Sequence, residues 1–216
     1  MSFADYFIRN YYDVLFAFGE HFRLVLIAVI LATTIGIPLG LLFSKHPKAN
    51  KIFEWLNGFF VMIPALALFG LVIPLAGVGF ITAVIGLALY AVFPIIKQTY
   101  IGISKISSST INSAKQMGMT KWQTFRVISF PLVFPNVLRG IRVSFVSGIG
   151  IATLAAYIGA GGLGKFIFDG ISMNNYMTLL IGAVPVVILA LFVHFVLKIA
   201  ESVFTSDSVK KRSEAI

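Results

Sequence analysis

The chain has 216 residues, 58% of them hydrophobic and only 12% charged, with a mean hydropathy of +0.96; soluble domains carry about 25% charged residues, so a soluble globular fold is excluded. The net charge of +9 is not gathered into basic clusters interleaved with aromatics, which argues against nucleic acid as a partner and for the lysine- and arginine-rich cytoplasmic loops of a membrane protein. The lack of cysteine removes disulfides, iron–sulfur clusters and thiolate zinc sites.

In chain order, residues 1–21 mix Asp5, Arg9, Asp13, Glu20 and His21 with aromatics, as an interfacial helix or a leader to the first span would. The start lacks a basic stretch, and the apolar run after it is too long for a signal peptide, so a retained helix is expected. Leu24 to Phe43 is the first span; Gly36 and Gly40 share a face open to close helix approach, and Pro38 predicts a kink. After the polar stretch Ser44 to Glu54, Trp55 to Ala76 is a second span, bent or broken at Pro64 or Pro74. Gly77 to Gly79 form a turn, and Phe80 to Ile96 is the third span. Residues 97–130 are a polar insert; a fourth span runs from Pro131 to about Ile158, a glycine-rich turn and loop follow, and Met177 to Lys198 is the fifth. The expected organisation is all-α: a membrane domain over 22–204 with about five transmembrane helices, and a disordered tail over 205–216.

Placing the N-terminus outside puts 14 of the 17 lysines and arginines on the inner side and leaves only Arg9, Arg23 and Lys165 outside. The opposite orientation would invert that bias. The polar insert and the C-terminus are therefore expected in the cytoplasm.

Few chemical motifs survive inspection. Gly159, Gly161 and Gly164 fit G-x-G-x-x-G, but after a span rather than between strand and helix, and Phe166 replaces the Ser or Thr of a phosphate loop. With Gly162, these glycines read better as an outer turn or gate. His21, His46 and His194 lack ligand spacing, and no metal or catalytic role is expected of them. All eight acids are assigned to loops, helix ends and tails, so the intramembrane carboxylates of an ion-coupled carrier are missing. A membrane enzyme would need a catalytic constellation, and none is visible. A stand-alone channel or secondary carrier would not need what the polar insert offers. There, Ser107 to Thr110 can cap a short helix that Gly118 stops, and Thr120 can cap a second that leads through Phe130 to Pro131.

The insert reads Asn112-Ser113-Ala114, three residues, Gly118, nine residues, Ile128-Ser129-Phe130-Pro131. This resembles the E-A-A, three residues, G, nine residues, I-x-L-P loop of permease subunits in type I importers of the ATP-binding cassette (ABC) class. Ala114, Gly118, Ile128 and Pro131 match in register, while Asn112, Ser113 and Phe130 depart from it. Phe60 to Leu68, the Met117-Gly118-Met119-Thr120 core and Ile151 to Gly164 look like the osmoprotectant branch, which moves glycine betaine, choline, carnitine or similar solutes. The resemblance implies the type I permease fold in a bacterial cell membrane, and it implies partners: ABC ATPase subunits, a second permease that is identical or homologous, and an extracellular solute-binding protein. ATP and magnesium would be bound by the ATPase, with no cofactor in this chain. Asn112, Ser113, Ala114, Met117, Gly118, Met119, Thr120, Ile128 and Pro131 would couple to that ATPase. Tyr90, Phe93 and Tyr157 are candidates to line the path, with cation–π contacts for a trimethylammonium group as the rationale and ordinary packing as the alternative.

Overall fold

A computed structural model describes residues 3–45 and 47–213; Met1, Ser2, His46 and the last three residues lie outside it. Every regular element among the described residues is helical. Helix α1 spans Phe3–Lys45, α2 Pro47–Met62, α3 Ala65–Ala76 and α4 Phe80–Ser104. In the insert, α5 covers Ser108–Gln116 and α6 Lys121–Thr124. A π turn over Phe125–Ser129 joins α6 to α7, Phe130–Ala152. A 3-10 turn over Leu154–Ile158 precedes α8, Gly164–Ser172, and α9 runs over Tyr176–Ser213. Among the described residues, four helical runs are each long and apolar enough to cross a bilayer, and the bent pair α2–α3 supplies a fifth candidate.

Several boundaries differ from the sequence reading. The aromatic segment over 1–21 and the first span form one helix, since nothing between Phe3 and Lys45 stops it. At about 1.5 Å per residue its 43 residues reach about 65 Å, twice the hydrocarbon thickness. The second span does break, by 98° between Phe60 and Ala65. Pro64 there has φ −63° and ψ 140°, outside the helical region. The fourth span has no break at Pro131: Lys121 to Ala152 is one helical run. Pro131 has no N–H to offer the Val127 carbonyl, and the wider turn of the π segment, in which the Phe130 N–H reaches back to Phe125 O, lies just before it. That span ends at Ala152 rather than Ile158. The stretch expected to be a loop up to Tyr176 contains the nine-residue α8. The tail expected to be disordered from 205 is helical as far as Ser213, and no glycine or proline lies between Lys198 and that point.

Helix α4 sits between α1 and α7, and α7 packs in turn on α9. Small residues set these distances. A Cβ on Gly36 would lie 2.9 Å from Ile95 Cγ2, and one on Gly40 2.6 Å from Thr99 Cβ, so the paired glycines of α1 admit α4 as their spacing suggests. A Cβ on Gly140 of α7 would stand 3.0 Å from the Ile95 backbone on the other side of α4. The core is Leu24, Val25, Ala28, Phe69, Leu87, Ile95, Ile149 and Leu163, all nearly free of solvent. Broad apolar surface remains outside, including Trp55, Phe59, Leu71, Leu75 and Phe192, as a bilayer-facing chain requires.

Candidate functional site

The polar insert folds into a compact helix–turn–helix. Ser107 Oγ accepts the Thr110 N–H at 3.2 Å and starts α5. The helix ends at Met117, where Gly118 turns the chain with φ +78°. The Gly118 N–H donates to Lys115 O at 3.0 Å and the Met119 N–H to Ala114 O at 3.1 Å, the two reverse bonds of a Schellman stop. Thr120 then opens α6 with a capping box: its Oγ1 accepts the Gln123 N–H at 3.2 Å, and Gln123 Oε1 accepts the Thr120 N–H at 2.8 Å. Each half of the turn is therefore fixed by local hydrogen bonds, which gives α5 a defined direction relative to α6.

Within α5, Ala114 is buried at 2% exposure and faces the body, while Asn112, Ser113 and Met117, the last at 81%, face outward. Met119, Ile128 and Pro131 are half-buried and Thr120 is exposed. The projecting surface is partly apolar, because Trp122, Phe125 and Val127 are also exposed. Exposed Met and Trp on an otherwise polar element fit a protein contact better than a solvated loop. A ladder of aromatic rings leads inward from it: Trp122 to Phe125 at 5.7 Å, Phe125 to Phe130 at 6.2 Å, Phe130 to Phe134 at 5.1 Å, and Phe134 to Phe204 on α9 at 4.7 Å. Only the period of the aromatics, at steps of three to five residues, hinted at this in the sequence.

The candidate path residues fall in two places. Tyr90 and Phe93 lie on α4 beside the broken span. The Tyr90 hydroxyl donates to Ile63 O, and Phe93 meets Phe60 at 4.7 Å and Phe53 at 6.0 Å. Both rings thus brace the bend at Pro64. Tyr157 sits on the 3-10 turn, 68% exposed, edge-on to Phe168 at 4.5 Å.

The glycine turn is held by a pair of residues not assigned to it in advance. Gly159, Gly161 and Gly162 have φ +73°, +78° and +82°. Glu20 of α1 accepts the Gly162 N–H at 3.0 Å, and a Cβ on Gly161 would come within 2.6 Å of the same carboxylate. The adjacent His21, buried, places Nε2 3.0 Å from Ile149 O on α7. Gly164 opens α8 where a Cβ would strike Thr153 O at 2.0 Å. The sequence separation of 142 between Glu20 and Gly162 explains why the sequence did not pair them.

A second polar node corrects the assignment of all acids to loops, ends and tails. Glu201 lies within α9 at 7% exposure. It accepts from Arg139 Nε at 2.8 Å and Nη2 at 2.6 Å, and from Arg142 Nη2 at 2.9 Å. The two arginines lie three residues apart on α7, and their common partner is this carboxylate, which a low-dielectric setting would not admit unpaired.

The molecule is thus a bundle of apolar, membrane-length helices that carries a helix–turn–helix between its spans. Solved ABC transporters share the fold: a methionine transporter, MetNI, in an inward-facing form aligns with a TM-score of 0.76 at 20% identity, over 86% of this chain and 93% of that one. An amino acid ABC transporter with histidines aligns at 0.75 and 16% identity, over 94% and 98%. Residues 20–204 match the family of the binding-protein-dependent transport system inner membrane component, and the chain belongs to that family. It is 37% identical to the glycine betaine/carnitine/choline transport system permease protein OpuCB of Bacillus subtilis, over 94% of this chain and 93% of the relative. It is also 37% identical to the carnitine transport permease protein OpuCB of Listeria monocytogenes, over 98% and 97%. Identity to the osmoprotectant import permease protein OsmW of Salmonella typhimurium is 34%, over 88% and 91%.

Proposed function

We propose that this permease carries quaternary ammonium compatible solutes (glycine betaine, carnitine, choline or a close analogue) across the bacterial cell membrane, with an extracellular binding protein delivering them. The relatives' names support the substrate class, and the locally fixed turn at Gly118 is the observation that carries the mechanism. In this reading the N-terminus is outside, the C-terminus is cytoplasmic, and two permease chains, identical or homologous, enclose the path.

The outward face of α5, with Asn112, Ser113 and Met117, seats in a cytoplasmic ATPase subunit that binds ATP and magnesium. When two such ATPases close on ATP, α5 is displaced. The Schellman stop at Gly118 and the capping box at Thr120 pass that displacement to α6 without slack. The unbroken run from Lys121 to Ala152 carries it to the outer end of α7, where Ile149 and the glycine turn meet Glu20 and His21 of α1. Coupling requires an element with two arrangements that both ends bias, and this lever is the one the fold offers. Gly159, Gly161, Gly162 and Gly164 are its outer hinge, and Tyr90, Phe93 and Tyr157 are the aromatic groups offered to a trimethylammonium cation.

The test is co-purification in mild detergent with the ATPase and permease partners, followed by ATP hydrolysis with the binding protein empty or loaded with glycine betaine. Hydrolysis stimulated by the loaded form supports the reading. A chain that purifies without an ATPase and still transports in vesicles would overturn it in favour of a channel or carrier.

A further inference from the structure

The helix–turn–helix carries three bases, Lys115, Lys121 and Arg126, all exposed and none in an ion pair among the described residues. No Asp or Glu occurs in the sequence between Glu54 and Asp169, and Asn112 stands where the resembled loop has Glu. The element therefore presents positive charge with no acid along its own stretch of chain to balance it.

Bases in the loops of a membrane protein ordinarily face lipid headgroups. The register of the helices decides against that here. Helix α9 is apolar over Tyr176–Phe204, 29 residues. That length is about 43 Å, the depth of a bilayer with its headgroups, about 40–45 Å. Phe204 therefore marks one edge of the membrane. Helix α7 runs antiparallel beside α9, with Arg139 on Glu201 and Phe134 on Phe204 at 4.7 Å. From Phe134 the same helical run continues back to Lys121, about 20 Å further on. Lys121 and the Gly118 turn thus stand past the headgroups, beyond the reach of a lysine side chain. The exposed Met117 and Trp122 stand there with them, and Met, Trp and Arg are enriched where proteins meet.

We propose that the ATPase subunit receives this element in an acidic groove, with Asp or Glu side chains facing Lys115, Lys121 and Arg126 and an apolar pocket taking Met117 and Trp122. The inference rests on the proposed docking of α5 to an ATPase and adds the chemistry of the surface that receives it. Complementary charge of this kind steers association and makes it sensitive to salt. It also selects the partner: an ATPase whose groove presents cations would face three bases with no carboxylate to answer it, and would be rejected.

The experiment measures binding of the purified ATPase to the permease assembly in phosphatidylcholine nanodiscs, at about 50 and about 500 mM KCl. Wild type should bind about tenfold more weakly at high salt, the product of three rim contacts of about two- to threefold each. The variant Lys115→Gln/Lys121→Gln/Arg126→Gln, three exposed changes, should show that loss already at low salt and little further loss at high salt. Lys51→Gln removes an exposed base that lies off the element and should bind as wild type does. A zero-length carbodiimide reagent, which joins an amine to a carboxylate in direct contact, should link Lys115 or Lys121 to an Asp or Glu of the ATPase. An assembly that forms equally at both salts and ignores the triple variant would overturn the acidic groove and leave ATPase docking standing. So would cross-links to the ATPase that never involve Lys115 or Lys121. Salt dependence seen only in phosphatidylglycerol nanodiscs would give the bases to the membrane and overturn it as well. An ATPase that binds at neither salt would overturn the transporter reading, and this inference with it.

Discussion

Substitution at Gly118 separates backbone conformation from crowding, because a Cβ there meets nothing within 4 Å. Only the φ of +78° penalises a side chain. For alanine the left-handed conformation costs about 1–2 kcal/mol. Asparagine tolerates it better, and β-branched valine is a true outlier. The chain can escape the strain by unwinding the turn, which forfeits the bonds from Gly118 N to Lys115 O and Met119 N to Ala114 O, each about 0.5–1.5 kcal/mol net. Either route leaves the seated direction of α5 about 1–3 kcal/mol less favourable, a 5- to 150-fold change in its population. The turn is solvent-facing and local, so insertion and the membrane core should be intact. The expected series for substrate-stimulated ATP hydrolysis and uptake is Gly above Asn, Asn above Ala, and Val near zero, at equal membrane levels by immunoblot. Wild-type uptake by Gly118→Val, or Asn as damaging as Val, would refute the argument that this turn transmits the stroke.

Three further outcomes follow from the contacts. Glu201→Ala strands Arg142, whose Nε already lacks a partner in the buried node. Breaking a buried pair costs about 3–5 kcal/mol, and with the Arg139 side chain 45% exposed the lower end applies; a drop in melting temperature in detergent that an Arg139→Met/Arg142→Leu/Glu201→Leu triple variant largely restores is expected. Gly161→Ala should push out the Glu20 carboxylate and cost transport, and adding Glu20→Ala should relieve the clash but not the positive φ, so the double variant should be less impaired than the sum of the singles, as uptake would show. Gly40→Ala should destabilise by about 1–3 kcal/mol through overpacking on the Thr99 Cβ and the Ile96 carbonyl, as a thermal melt would show.

What the sequence made legible was local. The four-residue spacing of Gly36 and Gly40 announced a close approach, and α4 makes it; Pro64 announced a break, and the chain bends there. The caps at Ser107 and Thr120 and the stop at Gly118 followed from residue chemistry alone. Pro131 misled, because a π turn before a proline keeps a helix continuous, and no side chain advertises that turn. Helix α8 was hidden by Gly164 and Gly170, whose role is steric: a Cβ on Gly170 would sit 2.4 Å from Leu179 N. Glu20 with the glycine turn and Glu201 with two arginines are long-range pairings, and a single sequence gives no signal that joins residues so far apart.

The continuity of Lys121 to Ala152 matters more than any single residue in it. A helix broken at Pro131 would absorb a displacement of α6 in the break, and the Ala152 end of α7 would not feel it. An unbroken run cannot, unless the π turn yields. Two clamps restrict how it moves: Gly140 holds it flush against α4, and Arg139 with Arg142 ties it to Glu201 of α9. These contacts lie about a third of the way from Pro131 to Ala152 and beyond, so in the proposed mechanism they would serve as a fulcrum between the projecting α5–α6 turn and the His21–Ile149 contact. In the proposed orientation, motion at the cytoplasmic end would reappear at the outer end with opposite sense, where it loads the Glu20 bond to Gly162.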